Sequence, residues 1–293
     1  MKKTLAALLA LLSCAVVPAT AQTAAAPAKP RTILFVGNSF TQGAHSAVRN
    51  YRANVVTDLN GDGYGGVPAL FKTFTEEAGL DYAVSLETQG GKPLGFHWSE
   101  RRQLLDKAWD VVILQELSTL DRDKPGDPTD YRTYGPMFAA MFARANPKVD
   151  VQLMATWSRA DLVYLPGSPW SGKPVAAMAL DLRRATDGVR SLSPVFRGVL
   201  PVGEAWNRAI AAGIADPNPY DGIAFGQVDL WAYDHYHASP YGYYLEALIV
   251  FGRVTGIDPT TLGAKERGAD DLGLDPRLVP ILQRIARDQL AAG

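Results

Sequence analysis

The sequence predicts an α/β protein: a mainly parallel central sheet of about five strands, covered by helices on both faces. Three observations carry that prediction. Short, unbroken apolar runs alternate with longer segments of helical spacing. The runs lack the polar–apolar alternation of a half-exposed strand, so each reads as a strand buried on both faces. Gly and Pro punctuate the junctions between them.

Taken in order, residues 33–36 (Ile-Leu-Phe-Val) form a first strand that Gly37 ends. Residues 67–78 place apolar side chains at helical spacing and stop at Gly79. A second strand covers 82–86, an amphipathic helix 99–109, and a third strand 111–114. A helix over 137–144 ends near Asn146-Pro147, and a fourth strand covers 149–154. A helix at 175–189, a fifth strand at 198–202 and helices at 204–212, 243–254 and 276–291 complete the pattern. Long connections remain at 42–66, 119–130, 158–174 and 215–233, and loops of that size are usually functional or mobile. In a parallel sheet, ligands bind beyond the carboxyl ends of the strands. Ser39, Gly90-Gly91, Gln115 and Thr156-Trp157 each follow one of the first four strands, so all belong at one edge.

The N-terminus reads as an export signal. Lys2 and Lys3 precede a charge-free apolar stretch over 4–17, and Ala19-Thr20-Ala21 fits a cleavage site that makes Gln22 the mature N-terminus. The apolar stretch is too short for a spanning helix. A competing reading takes Leu11-Leu12-Ser13-Cys14 as a lipoprotein site with Cys14 as lipid anchor. Cys14 is the single cysteine, so cleavage at Ala21 leaves a mature chain with none. Residues 22–30 read as a disordered leader, and 31–293 as one domain with a helical extension at 256–293. With 29 basic and 30 acidic residues, the charge balance argues against nucleic acid or a polybasic membrane patch.

Two short motifs carry chemistry. Gly37-Asn38-Ser39-Phe40-Thr41 puts a serine on the turn after the first strand, where a hydroxyl is exposed beside backbone N–H groups. Asp234-His235-Tyr236-His237 puts an aspartate three residues before a histidine, a spacing that lets the carboxylate hold Nδ1 and leaves Nε2 for a nucleophile. His235, adjacent to Asp234, would need an awkward turn to receive the same bond. Only four histidines exist in the chain, His45, His97, His235 and His237. Thr41 stands where a Gly-x-Ser-x-Gly elbow needs its second glycine, so the α/β-hydrolase pattern is absent.

Together these blocks resemble the SGNH (GDSL-like) hydrolases over residues 31–255. The resemblance implies a three-layer α/β/α, flavodoxin-like fold and an esterase or related hydrolase without a cofactor. It implies Ser39 as nucleophile, His237 as base and Asp234 as its orienting carboxylate. The Ser39 N–H and Gly91, in Thr88-Gln89-Gly90-Gly91, would form the oxyanion hole. The family's Gly-x-Asn-Asp block after strand three is missing. Leu114-Gln115-Glu116 stands there instead, and Gln115 is expected to supply the missing amide donor. A histidine base implies activity that rises with pH near His237's ordinary pKa of about 6.5.

Weaker signals complete the reading. Asn38, Gly90, His97 and Trp157 are candidate pocket residues, although a histidine or tryptophan there also serves as packing. Asp58-x-Asn60-x-Asp62-Gly63 matches half of a calcium loop, but position twelve is Ala69 rather than Glu, and an Asx-rich turn is the plainer reading. The expected substrate is a small-molecule or carbohydrate ester. Alternatives are a lipase, thioesterase or acyltransferase with the same triad, and a non-catalytic glycan-binding module on a degenerate hydrolase fold. A nucleotide-binding reading lacks the Gly-Lys-Ser/Thr of a P-loop.

Overall fold

The computed structural model describes residues 29–293. The expected export signal, Cys14 and most of the expected leader lie outside them. Six strands form one sheet: β1 (Arg31–Gly37), β2 (Thr57–Asp58), β3 (Tyr82–Thr88), β4 (Val111–Leu114), β5 (Asp150–Ala155) and β6 (Phe196–Pro201). Their order is β2-β3-β1-β4-β5-β6, with every pair parallel. The fold is thus the expected three-layer α/β/α arrangement, with one strand more than the sequence suggested. The extra strand is β2, whose two residues pair with Ser85 and Leu86 at the edge of the sheet. Two residues are too short a run to show any period.

Ile33 and Phe35 of β1 join one core cluster while Leu34 and Val36 join another, so alternate side chains fill opposite faces of the sheet. The first face carries α1 (Gly66–Glu77). The second receives the short α2 (Leu94–Phe96), α3 (Arg102–Leu105) and α4 (Thr129–Ala145). Next come α5 (Ala160–Tyr164), α6 (Ala176–Arg190), α7 (Val202–Ala211), α8 (Pro240–Thr255), α9 (Arg267–Asp271) and α10 (Val279–Ala292). Apolar side chains of α7, α8 and α10 fill the same cluster as those of α1. Among the described residues no helix is long and apolar enough to cross a membrane.

Two helical segments depart most from the sequence pattern. The segment expected at 99–109 is a π-turn, His97–Arg101, followed by α3, which stops at Leu105. Trp109 falls beyond it and donates its indole N–H back to the Leu105 carbonyl at 2.9 Å. Helix α4 starts eight residues before the expected 137, because it carries Pro136 inside its length. Proline normally marks a boundary, since it removes one hydrogen bond and crowds the preceding turn. Here Asp127 accepts from the Thr129 N–H and hydroxyl and starts the helix upstream. Helix α8 follows the rules throughout: Ser239 caps it, Pro240 opens it, and Gly256 ends it with φ +72°.

β1 is the switch strand of the sheet, with β3 on one side and β4 on the other. The crevice at a switch point opens beyond the carboxyl ends of such strands. Helix α7 closes on the end of β5 so tightly that a Cβ on Gly203 would sit 2.2 Å from the Thr156 carbonyl oxygen. Gly203→Ala is therefore expected to cost about 1–3 kcal/mol of stability, read as a lower urea midpoint at unchanged m-value.

Candidate active site

The nucleophile turn is built on the end of β1. The Asn38 N–H donates to Gln115 Oε1 at 2.9 Å, and the Thr41 hydroxyl donates to the same oxygen at 3.0 Å. Gln115 in turn gives its amide hydrogens to Asn38 Oδ1 (3.1 Å) and to the Glu116 carbonyl. Gly37 makes this clasp possible, because a Cβ there would lie 2.5 Å from Thr41 Oγ1 and 2.6 Å from Gln115 Oε1. Tyr243 on α8 donates its hydroxyl to the Ala44 carbonyl at 3.0 Å and lies 3.4 Å from the Ser39 carbonyl. The turn is thus fixed from two sides.

The second motif sits on a loop closed like a hairpin. The Ala232 N–H donates to the His237 carbonyl at 2.7 Å, and the Ser239 N–H to the Leu230 carbonyl at 2.8 Å. Two buried indoles hold this loop down: Trp157 Nε1 donates to the Tyr236 carbonyl (3.2 Å) and Trp231 Nε1 to the Ser158 carbonyl (2.9 Å). Asp234 Oδ1 accepts the backbone N–H groups of Tyr236 (3.2 Å) and His237 (3.0 Å). That Asx turn aims the other oxygen, Oδ2, at His237 Nδ1, 2.6 Å away. His237 Nε2 reaches Ser39 Oγ at 2.9 Å, across 198 residues of sequence. Ser39, His237 and Asp234 therefore form one unbroken hydrogen-bonded chain, the arrangement a serine nucleophile would need.

His237 is flanked by rings. Tyr236 lies 4.0 Å from it and His45 stacks at 4.4 Å, with 27° between planes. Burial pushes the His237 pKa below the ordinary histidine value, and the Asp234 carboxylate only partly offsets that. Burial pushes Asp234 upward, but hydrogen bonds from the His237 side chain and backbone outweigh it and hold the carboxyl below its ordinary value.

A cleft of about 240 Å³ is lined by Gly91, Ser118, Thr119, Arg122, Arg159 and Tyr236, among others. Gly91 adopts φ +66°, a left-handed conformation that a side chain would strain, and its carbonyl accepts from Arg122 at 2.6 Å. Among the described residues the Ser39 and Gly91 N–H groups carry no internal hydrogen bond. Those are the two backbone donors an oxyanion would need. Arg159 pairs with Asp161 at 2.5 Å and covers the Tyr236 ring at 3.5 Å.

Among solved structures, a DUF4886 family protein from Bacteroides uniformis aligns with 90% of this chain and 95% of its own, at 17% identity and TM-score 0.60. A protein described as a GDSL-like lipase from Parabacteroides merdae covers 78% of this chain and 96% of its own, at 16% identity and TM-score 0.50. The chain shares its fold with these two proteins. At these identities the likeness is one of architecture. No family model matches the sequence, and no curated protein matches it.

Within this fold the other expected site residues divide sharply. Asn38 is buried at the turn, and its side-chain nitrogen faces the Lys92 and Glu116 carbonyls at 3.3 and 3.4 Å. Gly90 is exposed on the loop before Gly91. Gln115, expected as an oxyanion donor, has both amide hydrogens and its oxygen engaged inside the protein. It holds the turn rather than presenting a free donor. His97 and Trp157, expected in the pocket, are both fully buried. His97 Nδ1 pairs with buried Glu87 at 2.5 Å, while Trp157 stacks between Phe40 and Trp206 at 4.1 and 4.6 Å.

The half calcium loop folds as an Asx turn. Asp58 spends its two oxygens on the N–H groups of Asn60 (3.0 Å) and Tyr64 (3.1 Å). Asn60 donates to Glu87 and to the Thr88 carbonyl, and Asp62 points to solvent. Among the described residues, the one group of three metal-capable side chains is His45, Asp234 and His237. There Asp234 Oδ2 and His237 Nδ1 are hydrogen-bonded to each other at 2.6 Å.

Sequence reading missed Glu116, Tyr243 and His45. Glu116 is buried and accepts the N–H groups of Leu94 (3.2 Å) and Leu117 (2.7 Å), so it joins the Gly91 loop to the end of β4. Burial pushes its carboxyl up to about 8 despite those bonds. The folded state then holds a proton that the unfolded chain releases above about pH 4.5, so this group's contribution to stability falls as pH rises from about 4.5 to 8. Glu116→Gln should flatten that part of the Tm-against-pH curve. Gln115→Ala strands the buried Asn38 N–H and Thr41 hydroxyl and is expected to cost about 1–3 kcal/mol of stability along with activity. A residue acting only as an oxyanion donor would lose kcat with Tm unchanged.

Proposed function

We propose that this chain is an exported serine hydrolase that cleaves an ester through an acyl-enzyme. The observation that carries the reading is the continuous chain from Ser39 Oγ through His237 to Asp234, at 2.9 and 2.6 Å. Ser39 attacks the ester carbonyl as its proton passes to His237 Nε2. Asp234 stabilises the imidazolium through Nδ1–H. The Ser39 and Gly91 N–H groups receive the oxyanion. His237 then protonates the departing alcohol, leaving the acyl group on Ser39. A water molecule, deprotonated by His237, attacks the acyl-enzyme. The proton returns to Ser39 Oγ as the acid departs.

We place a small acyl group first, with the cleft of about 240 Å³ at Gly91 lying beside the candidate oxyanion donor. Export through residues 1–21 would bring the protein to envelope or extracellular glycans, and we place deacetylation of a carbohydrate first. Cleavage before Gln22 gives a periplasmic or extracellular product, and lipidation of Cys14 is the alternative.

Purified residues 22–293 should hydrolyse p-nitrophenyl acetate and take a fluorophosphonate label on Ser39 by mass spectrometry. Ser39→Ala should remove the label and lower kcat by at least about a thousand-fold. A folded protein with neither turnover nor label would point instead to a glycan-binding module. Because burial lowers the His237 pKa, the acid limb of kcat/KM should have its midpoint below the ordinary value of about 6.5. A midpoint above that value would mean that the Asp234 carboxylate outweighs burial.

A further inference from the structure

His45 lies against the triad without belonging to it. Its ring stacks on His237 at 4.4 Å, and its Nε2 stands 3.8 Å from Asp234 Oδ2, the oxygen that already holds His237. Its Nδ1 meets the Tyr233 hydroxyl at 2.6 Å. Its backbone is left-handed, φ +61°, a conformation rare for residues with a side chain and concentrated at functional sites. The Ala44 N–H bond to the Ser39 carbonyl, 3.1 Å, ties this strained residue to the nucleophile turn. No packing need explains the strain, because the His45 side chain is 39% exposed.

We infer that His45 is a positioning residue of the triad, a second imidazole whose protonation competes with His237 for Asp234 and switches the base off. When His45 is neutral, its ring supports the face of His237 and Tyr233 fixes its tilt. When it takes a proton, Nε2–H⁺ draws on Asp234 Oδ2 across 3.8 Å. The same charge opposes the imidazolium that His237 must become during catalysis. Histidine changes charge between pH 5 and 8, the range in which the base itself works.

The other ionisable groups around the pair do not reproduce this. Arg159, whose charge also bears on His237, is paired with Asp161 at 2.5 Å. Tyr236 and Tyr233 flank the two rings, and Tyr220 packs on His235 at 4.4 Å, on the far side of the loop. On α8, burial raises both Tyr243 and Glu246 well above their ordinary values.

The inference rests on the triad reading, and two measurements separate them. The first is log(kcat/KM) against pH for wild type and His45→Asn, with EDTA present. Asparagine tolerates the left-handed backbone, so the turn is retained. Wild type should fall on the acid side with a slope approaching two, and His45→Asn with a slope of one. Tyr233→Phe, an exposed change that leaves the core untouched, should move the slope from two toward one by freeing the ring. The second is the NMR titration of the His237 Hε1 proton, expected to show two steps in wild type and one in His45→Asn. Slope one in wild type together with a single NMR step overturns the inference and leaves the triad standing. Two NMR steps in a protein without esterase activity support the coupling and overturn the reading of function.

Discussion

One carboxamide holds the candidate site together. Gln115 takes two hydrogen bonds on its oxygen and gives two from its nitrogen, all within the turn that carries Ser39 and the end of β4. Buried polar networks stabilise only when every member is satisfied, and this one is. The clasp needs a bare Cα at Gly37 and parallel pairing of β1 with β4, which brings position 115 beside position 38. With the turn fixed, the distance from Ser39 to any base is set by one other loop. That loop is pinned by indole N–H bonds from Trp157 and Trp231, each worth about 1 kcal/mol net. The aromatic stack of Phe40, Trp157 and Trp206 under the site is therefore a mounting for His237, not a surface for ligand.

Electrostatics at the base are a contest with a clear direction. The Asp234 carboxylate favours the imidazolium, and burial disfavours it. Burial prevails, so the resting base is neutral and ready to accept a proton at neutral pH. Asp234 stays charged because two backbone N–H groups and the imidazole all point at it. Each group thus keeps the ionisation state that the proposed chemistry requires.

Much of this was legible in the sequence. Unbroken apolar runs such as 33–36 and 111–114 gave buried parallel strands, because period and composition act locally. Ser39 and the Asp234-x-x-His237 spacing were readable because a three-residue Asx turn is also local. The pairings of Gln115, His97 and Trp157 were not. Their hydrogen-bond partners Thr41, Glu87 and Tyr236 lie 74, 10 and 79 positions away in the chain, and only the packed sheet decides whether an amide faces the cleft or the turn. The two-residue β2 and the upstream start of α4 escaped for related reasons: one is too short to have a period, and the other runs through a proline that usually ends a helix. His45 gave no signal beyond being one of four histidines, since its strain and stacking exist only in three dimensions.

The most direct test of the account is a crystal structure of the protein carrying a phosphonate on Ser39, which mimics the tetrahedral intermediate. The account predicts the phosphonyl oxygen at about 2.7–3.1 Å from the Ser39 and Gly91 N–H nitrogens. It also predicts Gln115 still clasped to Asn38 and Thr41. A phosphonyl oxygen turned away from Gly91, or a Gln115 amide released from Asn38 to bind it, would contradict the assignment of the oxyanion hole. An adduct on any residue other than Ser39 would contradict the triad itself.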